Sequence, residues 1–129
     1  MTTELTALLI ADHDIVDIVP DGLSLIEAVR RHRPDVIVSD IAMPGINGLA
    51  AAANIVARQP DARIVLVTVQ DSRAVIKKAF DCGVRGFVLK SDAGDELVAA
   101  VRVALSGGVY LSSGAQWALR KRGTGEEAK

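Results

Sequence analysis

The stretch DVIVSDIAMPGINGL, residues 35–49, sets the fold. Val36, Ile37 and Val38 make a short β-branched run without polar alternation, as a strand covered on both faces does. The run closes on a serine and a carboxylate, Asp40. An alanine-rich segment with helical spacing, GLAAAANIVARQ (48–59), follows. A buried strand passing through a turn into a helix is the repeating element of a parallel sheet.

The same grammar recurs on both sides. ALLIAD (7–12), RIVLVTVQD (63–71) and GFVLKSD (86–92) read as strands, each followed by acidic or turn-type residues. GLSLIEAVRRH (22–32), SRAVIKKAFDCG (72–83) and GDELVAAVRVALSGG (94–108) have helical spacing. In the last of these Leu97, Val101 and Ala104 or Leu105 share one stripe, and Gly107 and Gly108 stop the helix. Pro34 and Pro60 each precede an Asp that leads into a strand, and Gly83 and Gly86 bracket a helix exit. Strict alternation of strand and helix predicts an α/β fold, a doubly wound parallel sheet with helices on both faces. Ligands of such sheets sit at the carboxyl ends of the strands. Those ends carry Asp12, Asp40, Thr68 and Lys90.

Bulk properties narrow the function. A chain of 129 residues suits one domain and one core. With 50% hydrophobic but only 3% aromatic residues, that core must be built from Val, Ile, Leu and Ala. A net charge of -1 gives no global case for nucleic acid, so the basic run Arg120, Lys121 and Arg122 reads as a solvated tail. Cys82 is the only cysteine, which excludes an internal disulfide and is expected to be a buried, inert thiol. No apolar run approaches the roughly 20 residues of a membrane span, and the start carries no secretion signal, so the expected location is cytoplasmic.

The residues at the strand ends form a chemical set. Two carboxylates held close together, Asp12 and Asp40, repel unless a cation lies between them, and an all-oxygen pocket suits Mg²⁺. Asp40 can then attack phosphorus to give an aspartyl-phosphate. Phosphoryl transfer asks the protein mostly to position groups and neutralise the equatorial oxygens. The metal takes one oxygen, Lys90 a second and the Thr68 hydroxyl a third. Taken singly, Thr68 is an ordinary strand-end residue and Lys90 an ordinary solvated one; their joint placement with Asp40 favours the site.

These residues carry a resemblance. DVIVSDIAMPGINGL resembles the phosphoacceptor strand and loop of response regulator receiver domains, in which the Asp is followed by x-x-Met-Pro and then Gly. RIVLVTVQD resembles their fourth strand, ending in the switch Thr68. GFVLKSD resembles their fifth, with Lys90 three residues after the aromatic switch position Phe87. GGVYLSS (107–113) resembles the subclass joined to a helix-turn-helix DNA-binding domain. The likeness spans about Leu8 to Ser113. It implies the flavodoxin-like strand order 2-1-3-4-5, which is also that of chemotaxis receivers. It further implies phosphorylation of Asp40 by a histidine kinase and metal ligation by Asp12, Asp40 and the backbone carbonyl of Ala42. Residues 1–113 would form the receiver and 114–129 a linker helix and tail, with Trp117 as apolar anchor and GTGEEAK disordered. DNA would be reached only through an output domain that this chain does not contain.

The sequence departs from the family near its start. ALLIADHD passes directly to IVDIVPDG, a second strand and its turn, with only His13 and Asp14 between Asp12 and Ile15. A parallel pair needs a crossover of about a dozen residues or more, so the first helix reads as deleted. The acidic pair is then reduced to Asp12, with Asp14 as a weaker stand-in and His13 as a loop residue rather than a Mg²⁺ ligand. The sheet face left without that helix invites a second copy of the chain, with the segment 7–19 exchanged between subunits as one solution. Val69, beside Thr68, would narrow access to the site.

Three functions compete. The leading one is a phosphoacceptor signalling domain in which Thr68 and Phe87 reorient and a neighbouring surface changes its partner. The second is a degenerate receiver that dimerises without phosphorylation. A hydrolase working through an aspartyl intermediate lacks a general base of its own.

Overall fold

The structure is a computed structural model and describes residues 21–42 and 45–124. In chain order the elements are α1 (Gly22–His32), β1 (Ile37–Asp40), α2 (Gly48–Arg58), β2 (Ile64–Thr68) and α3 (Arg73–Asp81). They continue with β3 (Gly86–Leu89), α4 (Lys90–Leu105), β4 (Tyr110–Leu111) and α5 (Ser113–Thr124). The strands form one sheet in the order β1-β2-β3-β4, and every pairing is parallel. β1, β2 and β3 keep the relative order of the last three strands of the expected arrangement. The two strands read from residues 7–19, the two-residue link between them, Asp12, His13, Asp14 and the segment exchange all lie outside the described residues.

Local chemistry explains the helix boundaries. Asp21, Asn47 and Ser72 sit in extended backbone and accept from the amides of Ser24, Ala50 and Val75, at 2.8, 2.9 and 3.2 Å. Such caps satisfy amides that have no partner within the helix. α1 stops at Arg33, whose N–H still reaches the Val29 carbonyl while its left-handed φ of 47° turns the chain out of the helix. Pro34 then bars further helix.

Helices cover both sheet faces. On one, Val29, Ile55, Ile76 and Ala79 from α1, α2 and α3 pack with Ile64, Leu66 and Phe87 of the sheet. On the other, α4 contributes Leu97, Ala100, Val101 and Ala104 against Val65, Val67 and Val88. β2 and β3 are buried throughout, whereas β1 alternates, with Ile37 buried and Val38 half-buried. At about 25 cal/mol per Å² of apolar surface removed from water, these two clusters are the main stabilisers of the fold.

Several expectations are corrected. GFVLKSD is strand only to Leu89, and helix begins at Lys90 rather than at Gly94. Leu89, at φ -70° and ψ 143°, makes the transition with no capping side chain, and Asp92 lies in the first turn, where a carboxylate meets the positive end of the helix. RIVLVTVQD is strand only over Ile64–Thr68, because the Gln70 amide folds back onto the Thr68 hydroxyl at 3.1 Å. DVIVSD pairs only from Ile37. Cys82 is not buried but partly exposed at the end of α3. The basic run Arg120, Lys121 and Arg122 lies on the linker helix, α5, which continues to Thr124, two residues into the stretch GTGEEAK read as disordered. Trp117 is 56% exposed, while Ala115 and Ala118 make the inward contact, at 0% and 8%. On a helix seated this close to its neighbours small residues fit where an indole does not. β4, two residues long, has no counterpart in the sequence reading.

Candidate functional site

The register of the sheet builds the site. Asp40 pairs with Val67 and Thr68 pairs with Leu89, so each successive strand carries its polar terminus one step further along the edge. Lys90 follows Leu89 directly and brings Nζ to 2.6 Å from Asp40 Oδ2. The other carboxylate oxygen, Oδ1, accepts the Ala42 amide at 3.0 Å. Side-chain exposure is 16% for Asp40 and 37% for Lys90, so the pair is partly screened by solvent and remains reachable from it.

α2 is pressed against this strand end. The Gly48 amide donates to the Ile41 carbonyl at 2.7 Å. A Cβ at Gly48 would lie 2.2 Å from the Asp40 carbonyl oxygen, so only glycine permits the approach. Gly22 is bound in the same way to the loop that follows Asp40, since a Cβ there would lie 2.1 Å from the Ile46 carbonyl oxygen. The backbone at Asp40, Ile41 and Ile46 is thus clamped by close contacts.

The structure brings Asp40 and Lys90 together and places Thr68 at the adjoining strand end, fully buried. Thr68 Oγ1 accepts from Gln70, which leaves its O–H as a donor. Phe87 is also fully buried, in the core cluster that contains Ala115 and Ala118 of α5. Ala42 meets Asp40 through its amide. Asp12 lies outside the described residues. Among the described residues no three His, Cys, Asp or Glu side chains group as a metal site; the donor at this edge is the Asp40 carboxylate, each oxygen of which has one protein partner and a second lone pair. That chemistry fits a hard cation such as Mg²⁺.

The sequence reading missed the residues that support Lys90 from behind. The Leu89 amide donates to Ser112 Oγ at 3.1 Å, and Ser112 is fully buried. Glu96 accepts from the Tyr110 hydroxyl at 2.7 Å and from the Ser113 amide, while Asp92 accepts from the Gly114 amide at 2.9 Å. The available signal was Gly-Gly followed by a β-type triplet and a serine at a helix start in GGVYLSS.

Comparison with known proteins agrees with this geometry. Residues 1–102 match the response regulator receiver domain family. The transcriptional regulatory protein DegU of Brevibacillus brevis is 34% identical over 91 residues, 70% of this chain and 39% of that protein. The oxygen regulatory protein NreC of Staphylococcus carnosus is 34% identical over 101 residues, 78% of this chain and 46% of that protein. The chain therefore spans less than half the length of these relatives. Among solved structures, a LuxR-family two-component response regulator from Aurantimonas superposes with a TM-score of 0.75 at 32% identity, covering 81% of this chain and 75% of that one. The receiver domain of the response regulator NarL from Mycobacterium tuberculosis gives 0.75 at 30%, covering 80% and 85%. A parallel sheet ending in a paired Asp and Lys, with these relatives over most of its length, makes the chain a member of the response regulator receiver domain family.

Proposed function

We propose that Asp40 accepts a phosphoryl group from a histidine kinase and that Lys90 and Thr68 hold the product. The observation that carries this reading is the Lys90 ammonium lying 2.6 Å from the Asp40 carboxylate. An Asp40 oxygen forms the new bond to phosphorus as the bond to the donor imidazole nitrogen breaks, and the electron pair returns to that ring. Lys90 then exchanges its carboxylate partner for a phosphoryl oxygen through a charge-assisted contact. The free O–H of Thr68 donates to another oxygen, and the buried Phe87 follows the movement of its strand. Asp12, Asp40 and the Ala42 carbonyl would hold Mg²⁺, which when bound neutralises charge on the transferring group. The chain acts as a phosphoryl acceptor in signalling rather than as a turnover enzyme.

The experiment is exposure to acetyl phosphate and Mg²⁺ with mass spectrometry of the products. One added phosphoryl group is expected, on Asp40, and none on the Asp40→Asn variant. Equal phosphate on that variant would remove Asp40 from the role.

A second copy of the chain is the proposed cover for the sheet face beyond α4. Val36 and Val38 on this face are half-buried, whereas Ile37 on the opposite pleat is 5% exposed. Covering several hundred Å² there at about 25 cal/mol per Å² favours association before its entropic cost is subtracted. Light scattering at micromolar concentration is expected to give a dimer without phosphorylation; a monomer under those conditions refutes it.

A further inference from the structure

We propose that Ser112 is a positioning residue of the phosphoacceptor site, acting through the Leu89 amide to fix the place from which Lys90 reaches Asp40. β4 pairs with β3 through Gly86↔Tyr110 and Phe87↔Leu111. The Ser112 amide extends the ladder by donating to the Phe87 carbonyl at 3.0 Å. At the next rung the chain has already turned into α5, since the Ser112 carbonyl accepts from the Gln116 amide at 2.8 Å. The buried Leu89 amide therefore takes the Ser112 hydroxyl oxygen as its acceptor, at 3.1 Å.

A serine immediately before a helix normally turns its oxygen onto that helix's own first amides. Here that task belongs to α4. Asp92 accepts from Gly114, and both Glu96 oxygens accept from Ser113, at 3.1 and 3.2 Å. The acidic first turns of α4 cap α5 and free Ser112 to hold the end of β3. Lys90 is the residue between these anchors, one step after Leu89 and two before Asp92. Its backbone is fixed on both sides by the segment 110–114, and its ammonium is held by Asp40.

Coupling of this kind is reciprocal. Whatever displaces Ser112 must alter the Lys90–Asp40 pair, and whatever breaks that pair must loosen the Leu89 amide. The functional consequence rests on Asp40 being the phosphoacceptor; the positioning itself does not.

The test compares Ser112→Ala with Gln116→Ala in the full chain. Gln116 donates through Nε2 to the Leu111 carbonyl, so its loss loosens the same segment without touching Leu89. Side-chain NMR resonances of Lys90 and Asp40 are recorded first, without phosphodonor. Ser112→Ala is expected to displace both, and Gln116→Ala neither. The initial rate of phosphorylation by acetyl phosphate with Mg²⁺ is then expected to fall roughly tenfold in Ser112→Ala, within the ~100-fold loss that a 1 Å misplacement can cause. Wild-type Lys90 and Asp40 resonances in Ser112→Ala overturn the proposal, as does an equal displacement in Gln116→Ala. Should Ser112→Ala not fold, amide exchange at Leu89 in Asp40→Asn decides: several-fold faster exchange than in the unaltered chain supports the coupling and unchanged exchange refutes it. A chain that takes no phosphate while Ser112→Ala still moves Lys90 would defeat the phosphoacceptor reading alone.

Discussion

Lys90 reaches to 2.6 Å from Asp40 although β2 lies between their strands, so the ammonium spans the edge of the sheet above Val67 and Thr68. The pair is partly exposed, and a solvent-screened ion pair contributes about 1 kcal/mol or less. Lys90→Ala is therefore expected to shift stability by no more than that while abolishing the conformational response to phosphorylation. Chemical denaturation measures the first, and NMR shift changes on adding acetyl phosphate measure the second. A large stability loss together with an intact response would give Lys90 a structural role instead.

Glycine positions near the site should respond with opposite sign. Alanine at Gly48 would force its Cβ against the Asp40 carbonyl and the Ile41 Cα, both backbone. The expected destabilisation is about 1–3 kcal/mol, as for other overpacked positions, with slower phosphorylation as Asp40 moves. A Cβ at Gly94, inside α4, would meet nothing within 4 Å. Gly94→Ala is expected to stabilise by about 0.5–1 kcal/mol through helix propensity alone. Urea titration of both variants checks the signs.

Val69 offers a kinetic prediction. It is 73% exposed and follows the buried Thr68, so its branched side chain does not support the core, and its place beside Thr68 makes it a candidate to narrow access. Val69→Ala should speed both phosphorylation by a small donor and loss of the phosphoryl group to water. A tenfold gain corresponds to about 1.4 kcal/mol of barrier. Stability should change by less than about 0.5 kcal/mol, as for most surface substitutions. Unchanged rates in both directions would show that access is not limited there.

The legibility of this fold follows from where its signals are local. GLSLIEAVRRH matches α1 residue for residue, because its apolar spacing and the flanking Asp21 and Pro34 all act within a few positions. The nearness of Asp40, Thr68 and Lys90 was legible because Asp40 and Thr68 end apolar strands and Lys90 directly follows a third, and the parallel fold places such ends together. The start of α4 was not, because the contacts that flank it, Leu89 to Ser112 and Asp92 to Gly114, join residues some twenty positions apart. β4 was hidden by its length, since two residues display no period. Trp117 misled because hydrophobicity alone names an anchor, whereas close packing of α5 selects alanine.

Tyr110 provides a direct optical measure of whether the segment 110–114 is docked, since it is the chain's single tyrosine. Burial, and then the hydrogen bond and charge of Glu96, push its phenol from 10.0 up to about 12. The group is neutral when protonated, and its folded value is the raised one. It therefore contributes its stabilisation fully below about pH 10, and that contribution is lost as the pH rises through about 12. Phenolate absorbance is expected to appear with a midpoint near 12 in the intact protein. Glu96→Gln should lower that midpoint toward 10, because it removes the carboxylate charge while burial persists. The same change weakens the contact to the Ser113 amide, so α5 should become more susceptible to proteolysis. A midpoint of 10 in the unaltered chain would mean that Tyr110 is not held against Glu96 and that the segment supporting Leu89 is open in solution.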